Sequence, residues 1–169
     1  MTKRHMVLTL NGRGSTVAVE PRQTLLEVLR DELGATDVKY GCGEGVCGTC
    51  TVLFDGESVN ACTILAVQAE GRSITTLRGL SGEAGRLHPL QELFLERGAS
   101  QCGFCTPGMI LSAVELLRER PQPSREEIRE ALSGNLCRCT GYTKIIDAVE
   151  AYARIDTGST GESDPREGL

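Results

Sequence analysis

Eight cysteines in a chain of 169 residues are the side chains with chemistry to offer, and they fall into two groups of four. Cys42, Cys47, Cys50 and Cys62 are spaced C-x4-C-x2-C-x11-C. The opening C-x4-C-x2-C is the plant-type spacing for a [2Fe–2S] cluster. Thiolates and bridging sulfides concentrate negative charge, and backbone N–H groups must come close to the sulfurs to stabilise it. Gly41, Gly43, Gly45 and Gly48 interleave with these cysteines. Residues without a Cβ tolerate positive φ, so such a loop can fold its amides inward. Cys62 would close the site from beyond the loop.

The second group, Cys102, Cys105, Cys137 and Cys139, is spaced C-x2-C-x31-C-x-C in a helical setting. Thr106 is expected to cap a helix that begins with Pro107, placing Cys102 and Cys105 just before its N-terminus. Cys137 and Cys139 likewise precede Thr140-Gly141-Tyr142-Thr143, where the last helix is expected to begin. Two helix N-termini can thus direct partial positive charge at one anionic centre, and Arg138 adds a full charge.

Other readings of these residues are weaker. Two zinc sites would also use all eight cysteines, but two ligands separated by one residue sit poorly in the usual structural-zinc spacing. A disulfide framework conflicts with the reducing compartment expected for this chain. A Rieske centre needs two histidines beside the ligands, and His5 and His88 are remote from the cysteines, reading as surface or capping residues. Gly43-Glu44-Gly45-Val46-Cys47-Gly48 matches G-x-G-x-x-G, yet a β-rich segment follows where a dinucleotide fold requires a helix.

The elements that must hold these groups change character along the chain. Met6–Leu10 and Ser15–Val19 flank Asn11-Gly12-Arg13-Gly14 as one hairpin, and Thr51–Phe54 and Glu57–Val59 flank Asp55-Gly56 as a second. Between them Thr24 and Glu27 form a capping box for an amphipathic helix that stops at Gly34. From His88 onward the apolar period becomes 3.6, with helices over His88–Gly98, Pro107–Arg120, Ser124–Leu132 and Thr143–Arg154. The fold class is therefore α+β. Residues 1–78 are expected to form a [2Fe–2S] domain, 79–86 a glycine-rich linker, 87–155 a helical [2Fe–2S]-binding domain and 156–169 a disordered acidic tail.

Composition narrows the function. The net charge is −5, of which four acids minus Arg166 put −3 on residues 156–169. With six aromatic residues and no Trp, the chain lacks the basic, stacking surface that nucleic acid requires. The longest apolar run, Ile64–Val67, is far below the roughly 20 residues of a membrane helix. The start leads directly into a strand pattern with neither an apolar h-region nor a cleavage site, so a cytoplasmic location is expected.

Three long motifs in order carry a resemblance: Gly41-Cys42-Gly43-Glu44-Gly45-Val46-Cys47-Gly48-Thr49-Cys50, Gln101-Cys102-Gly103-Phe104-Cys105-Thr106-Pro107-Gly108-Met109 and Gly134-Asn135-Leu136-Cys137-Arg138-Cys139-Thr140-Gly141-Tyr142. Together they resemble the iron–sulfur small subunit of the molybdenum hydroxylases, the family of xanthine dehydrogenase, aldehyde oxidoreductase and CO dehydrogenase. The resemblance spans about residues 5–155. It implies a plant-type ferredoxin-like (β-grasp) domain followed by a four-helix bundle, each holding one [2Fe–2S] cluster, the helical one nearer the molybdenum.

It further implies a large partner subunit carrying molybdopterin and the substrate site, a medium subunit carrying FAD, and a dimer of such heterotrimers. Electrons would pass from molybdenum through both clusters to FAD, with water as the oxygen source. The substrate would be an aromatic or N-heterocyclic compound or an aldehyde. Gln101 matches the residue that contacts the pterin, and Cys139 lies on the route to it. This chain would carry no substrate-converting site of its own. A CO dehydrogenase or aromatic acyl-CoA reductase small subunit, or a freestanding two-cluster carrier, are the alternatives.

Overall fold

The computed structural model describes residues 3–81 and 85–155. The middle of the expected linker, 82–84, and the expected tail, 156–169, lie outside the described residues.

The N-terminal part is a five-stranded sheet of order β2-β1-β5-β3-β4. Its strands are β1 (Arg4–Leu10), β2 (Arg13–Val19), β3 (Thr51–Phe54), β4 (Glu57–Asn60) and β5 (Ser73–Thr75). Both hairpins form as expected. Asn11 and Gly12 have φ of 50° and 75°, and Asp55 and Gly56 have 50° and 92°, the pair of positive values that two-residue turns need to match strand twist. β5 joins the hairpins, running parallel to β1 and antiparallel to β3.

The expected helix after Thr24 is a single α-turn, α1 (Leu25–Glu27), continued by a wider π-turn over Val28–Glu32. Its capping box is present: Glu27 N–H donates to Thr24 Oγ1 at 3.2 Å and Thr24 N–H to the Glu27 carboxylate at 2.7 Å. Leu25, Leu26, Val28 and Leu29 are all buried against Met6, Leu8, Val17, Val19, Val52 and Ile74 of the sheet.

Successive side chains of a strand point to opposite faces. In β3, Val52 joins that first core, whereas Leu53 joins a second core built by the helices. These are α2 (Leu77–Leu80), α3 (Pro89–Glu96), α4 (Thr106–Glu119), α5 (Arg125–Ala131) and α6 (Thr143–Ile155). Phe94, Met109, Ile110, Leu111, Ile128, Ile145 and Val149 fill the space between them. α4 is buried without a break from Pro107 to Val114, since it packs on β3 on one side and on α5 on another. The observed helix bounds sit within one or two residues of those read from the periodicity.

Two local expectations are corrected. Cys105, not Thr106, occupies the N-cap of α4, and the Thr106 hydroxyl instead donates to Ser100 Oγ at 3.1 Å. The linker was expected from Gly79, yet α2 runs through Leu80, whose side chain is buried in the second core. Gly79 is there for space: a Cβ would collide with the Asn11 carboxamide, which binds Thr76 N–H at 2.8 Å and Thr76 Oγ1 at 3.0 Å.

Candidate metal centres

The first cysteine set lies on the loop between the π-turn and β3, with Cys62 following β4. Its backbone amides do point at sulfur. Glu44 N–H and Val46 N–H donate to Cys42 Sγ at 3.3 and 3.4 Å, Gly45 N–H to Cys62 Sγ at 3.2 Å, and Cys42 N–H to Cys47 Sγ at 3.4 Å. Gly43, Gly45 and Gly48 have φ of 74°, 74° and 66°, as the inward turn of those amides requires. Gly41 serves differently: a Cβ would come within 2.6 Å of Thr49 Oγ1 and 2.8 Å of Cys47 Sγ.

In the second set Cys105 abuts α4 and is buried, while Cys102 and Cys139 are exposed with their Sγ atoms 3.6 Å apart. That separation is about the edge of a tetrahedron with metal–sulfur bonds of roughly 2.3 Å. Thr140 N–H donates to Cys137 Sγ at 3.3 Å, and Thr140 Oγ1 lies 3.0 Å from the same sulfur. Tyr142, at a φ of 66°, accepts Cys137 N–H on its Oη at 3.0 Å and donates to Asn135 O at 3.2 Å.

In the second set the Cys102 and Cys139 thiols meet as a pair, and in the first set the successive amides of Glu44, Gly45 and Val46 reach Cys42 and Cys62 together. Two sets of four thiols, each with backbone amides directed at its sulfurs, suit a diiron unit, in which four cysteines divide between two irons. The donor set therefore fits a [2Fe–2S] group in each place.

Charge agrees with this geometry. The Glu44 amide, then those of Cys47 and Val46, hold the Cys42 thiol down to about 6. Burial pushes Cys50 and Cys105 up to about 12, so loading either site must expel their protons. At Cys137 burial acts upward, but the Thr140 hydroxyl and amide outweigh it and keep the thiol below its ordinary value.

The two sets are directly linked. Leu136 N–H donates to the Cys47 carbonyl at 2.8 Å, so a backbone hydrogen bond joins a cysteine of the first set to the neighbour of Cys137 in the second. Beside it, Asn135 Nδ2 donates to Gly48 O at 2.9 Å and to Thr51 Oγ1 at 3.1 Å, and its Oδ1 accepts from Ser112 Oγ at 2.8 Å. No signal in the sequence singled out Leu136, Thr49 or Tyr142.

Gln101 is exposed next to Cys102. Phe104 is 45% and Leu136 50% exposed. Near the first set Tyr40 and Val46 are similarly open, at 59% and 62%. His5 is exposed, and His88 caps α3 with its Nδ1 accepting from Leu90 N–H at 3.2 Å, so neither histidine joins a cysteine set.

A sheet with an amide-lined cysteine loop, followed by a helical unit with a second cysteine set, defines an iron–sulfur electron-transfer protein. Residues 8–74 match the family described as the 2Fe-2S iron-sulfur cluster binding domain, and residues 76–150 that described as the [2Fe-2S] binding domain. The chain is 53% identical over 149 residues to the nicotinate dehydrogenase small FeS subunit of Eubacterium barkeri, covering 88% of this chain and 94% of that one. It is 55% identical over 140 residues to the nicotine 6-hydroxylase small subunit of Paenarthrobacter nicotinovorans, covering 83% and 84%. Among solved structures, quinoline 2-oxidoreductase from Pseudomonas putida 86 matches with a TM-score of 0.89 at 48% identity, over 96% of this chain and all of that one. The chain belongs to the iron–sulfur small subunits of the molybdenum hydroxylase family. It is the electron-transfer part of an oxidoreductase.

Proposed function

We infer that Cys42, Cys47, Cys50 and Cys62 ligate one [2Fe–2S] cluster, that Cys102, Cys105, Cys137 and Cys139 ligate a second, and that the chain relays single electrons between two partner subunits. The observation that carries this reading is the hydrogen bond between Cys47 O and Leu136 N–H, which ties the two ligand sets into one bonded path. A [2Fe–2S] group supplies one-electron redox chemistry at low potential. The chain's own residues do the rest: amides at Cys42 and Cys62 neutralise charge, buried Cys50 and Cys105 exclude water, and exposed edges admit partners.

Each set has such an edge. Cys102 and Cys139 with Gln101, Phe104 and Leu136 present a face suited to a large molybdopterin subunit, with Gln101 toward the pterin. The face with Tyr40 and Val46 suits a medium FAD subunit. Relatives named for nicotinate, nicotine and quinoline favour an N-heteroaromatic substrate on the large subunit, hydroxylated with water as oxygen source. The finer architecture proposed with this is a β-grasp domain, a junction that follows α2 and ends near residue 86, a four-helix bundle of α3 to α6, and a dimer of heterotrimers. Among the described residues no helix is long and apolar enough to cross a membrane, and a cytoplasmic location is proposed with the reducing chemistry of eight ligand thiols.

Purification from the native host tests this. Two larger chains are expected to co-elute, with about four iron and four labile sulfide per small subunit. A stable, iron-loaded monomer would point to a freestanding carrier, and a colourless zinc protein would end the cluster reading.

A further inference from the structure

Backbone amides surround several of the sulfurs, but side-chain hydroxyls reach only two among the described residues. Thr49 Oγ1 lies 3.2 Å from Cys47 Sγ, and Thr140 Oγ1 lies 3.0 Å from Cys137 Sγ. These are the two cysteines at the ends of the path through Cys47 O and Leu136 N–H. Each hydroxyl is held in place. Thr49 is buried, and the missing Cβ of Gly41 leaves room for its Oγ1 beside the sulfur. Thr140 Oγ1 accepts from Tyr142 N–H at 3.2 Å, which leaves its own proton free for Cys137.

We propose that the hydroxyls of Thr49 and Thr140 are positioning donors that set the reduction potentials of the two centres, each through one ligand sulfur. The inference rests on the assignment of the eight cysteines as cluster ligands. A ligand sulfur is a thiolate with no proton, so the hydroxyl must donate. Reduction adds one electron and no proton, the threonine proton stays on Oγ, and the added negative charge falls partly on the ligand sulfurs. A donor to a more negative acceptor binds it more strongly. Each hydroxyl therefore favours the reduced form and raises the potential of its own centre, leaving the other centre unchanged.

The test is a potentiometric titration of the intact complex with dithionite, followed by EPR, which resolves the two centres. Thr140→Val replaces the hydroxyl by a methyl of similar size. It is expected to lower the potential of the helical centre alone, by about tenfold in its reduced-to-oxidised ratio, or about 59 mV for one electron. Thr49→Val is expected to lower only that of the first centre. Thr140→Ser and Thr49→Ser keep the donor and are expected to restore the wild-type values. Iron and sulfide content separates the two ideas: wild type without about four iron defeats the ligand assignment. Fully loaded valine variants with unshifted potentials, or serine variants that shift as the valine ones do, overturn the role of the hydroxyls. Should a valine variant fail to load, deuterium ENDOR on the reduced wild type in D2O decides. Backbone amides donate to the same sulfurs, so the deuteron that counts is one present in wild type and in the serine variant but absent from the corresponding alanine variant. Its presence supports the proposal, and coinciding wild-type and alanine spectra overturn it.

Discussion

Asn135 Nδ2 donates to the carbonyl of Gly48 at 2.9 Å across 87 residues of sequence. The side chain is 4% exposed and is shared out completely, with Thr51 Oγ1 on the same nitrogen and Ser112 Oγ on Oδ1. It pins the loop of the first cysteine set to the residue just before Leu136, and hence to the second set. Ser58 N–H on the Glu115 carboxylate at 2.8 Å and Arg118 on Gly56 O at 2.9 Å hold the same interface further out.

Asn135 is expected to be sensitive to the sign of its hydrogen bonding and not only to its volume. Asn135→Ala leaves Ser112 unpaired and opens a small void, at a cost of about 2 kcal/mol. Asn135→Asp keeps the shape but sets a carboxylate oxygen against the Gly48 carbonyl, so it should cost more than alanine. Urea denaturation of the two variants checks the order, and an aspartate variant as stable as wild type would contradict the geometry.

Gly108 offers a second test of the same contact. Glycine to alanine inside a helix ordinarily stabilises by about 1 kcal/mol. Here a Cβ on Gly108 would collide with Gly48 O and come within 2.9 Å of Asn135 Nδ2. Gly108→Ala should therefore destabilise, whereas Gly134→Ala, whose new methyl would meet no atom within 4 Å, should be nearly silent. Thermal shifts of the pair give the comparison.

His88 predicts a pH dependence. Burial lowers its pKa from 6.5, its ring stacks on Tyr152 at 5.6 Å, and Nδ1 must stay unprotonated to accept from Leu90 N–H. Because the folded value is depressed, the stabilisation is complete above the unfolded value near 6.5 and is lost as pH falls below it. His88→Asn retains a capping oxygen but does not titrate. Its melting temperature should fall less steeply between pH 7 and 5 than that of wild type; parallel slopes would remove His88 from the account.

The two cysteine sets predict separable losses. Cys139→Ser should perturb the EPR signal of the helical centre and leave the other intact, and Cys62→Ser should do the reverse. Simultaneous loss of both signals in either variant would contradict two independent ligand sets. Gln101→Ala, at an exposed side chain outside both cysteine sets, should leave both signals and slow only their reduction by substrate.

Local chemistry in the sequence determined the two cysteine groups, the turns and the cap at Thr24. Asn11-Gly12 and Asp55-Gly56 can take paired positive φ, Thr24 with Glu27 closes a capping box, and the cysteine spacings mark two groups of four. Each depends on residues a few positions apart, so each can be read along the chain. The tertiary structure decided what depends on residues far apart. The three-residue strand β5 carries too little pattern to be seen alone and exists because β1 and β3 both pair with it. Leu53 turns from the sheet's own core to that of the helices because α4 covers that face. Gly41 and Gly79 are glycines because another side chain fills the space of their Cβ, which spacing along the chain does not reveal. The eight cysteines that could be counted in the sequence become two directly bonded groups only when Leu136 meets Cys47.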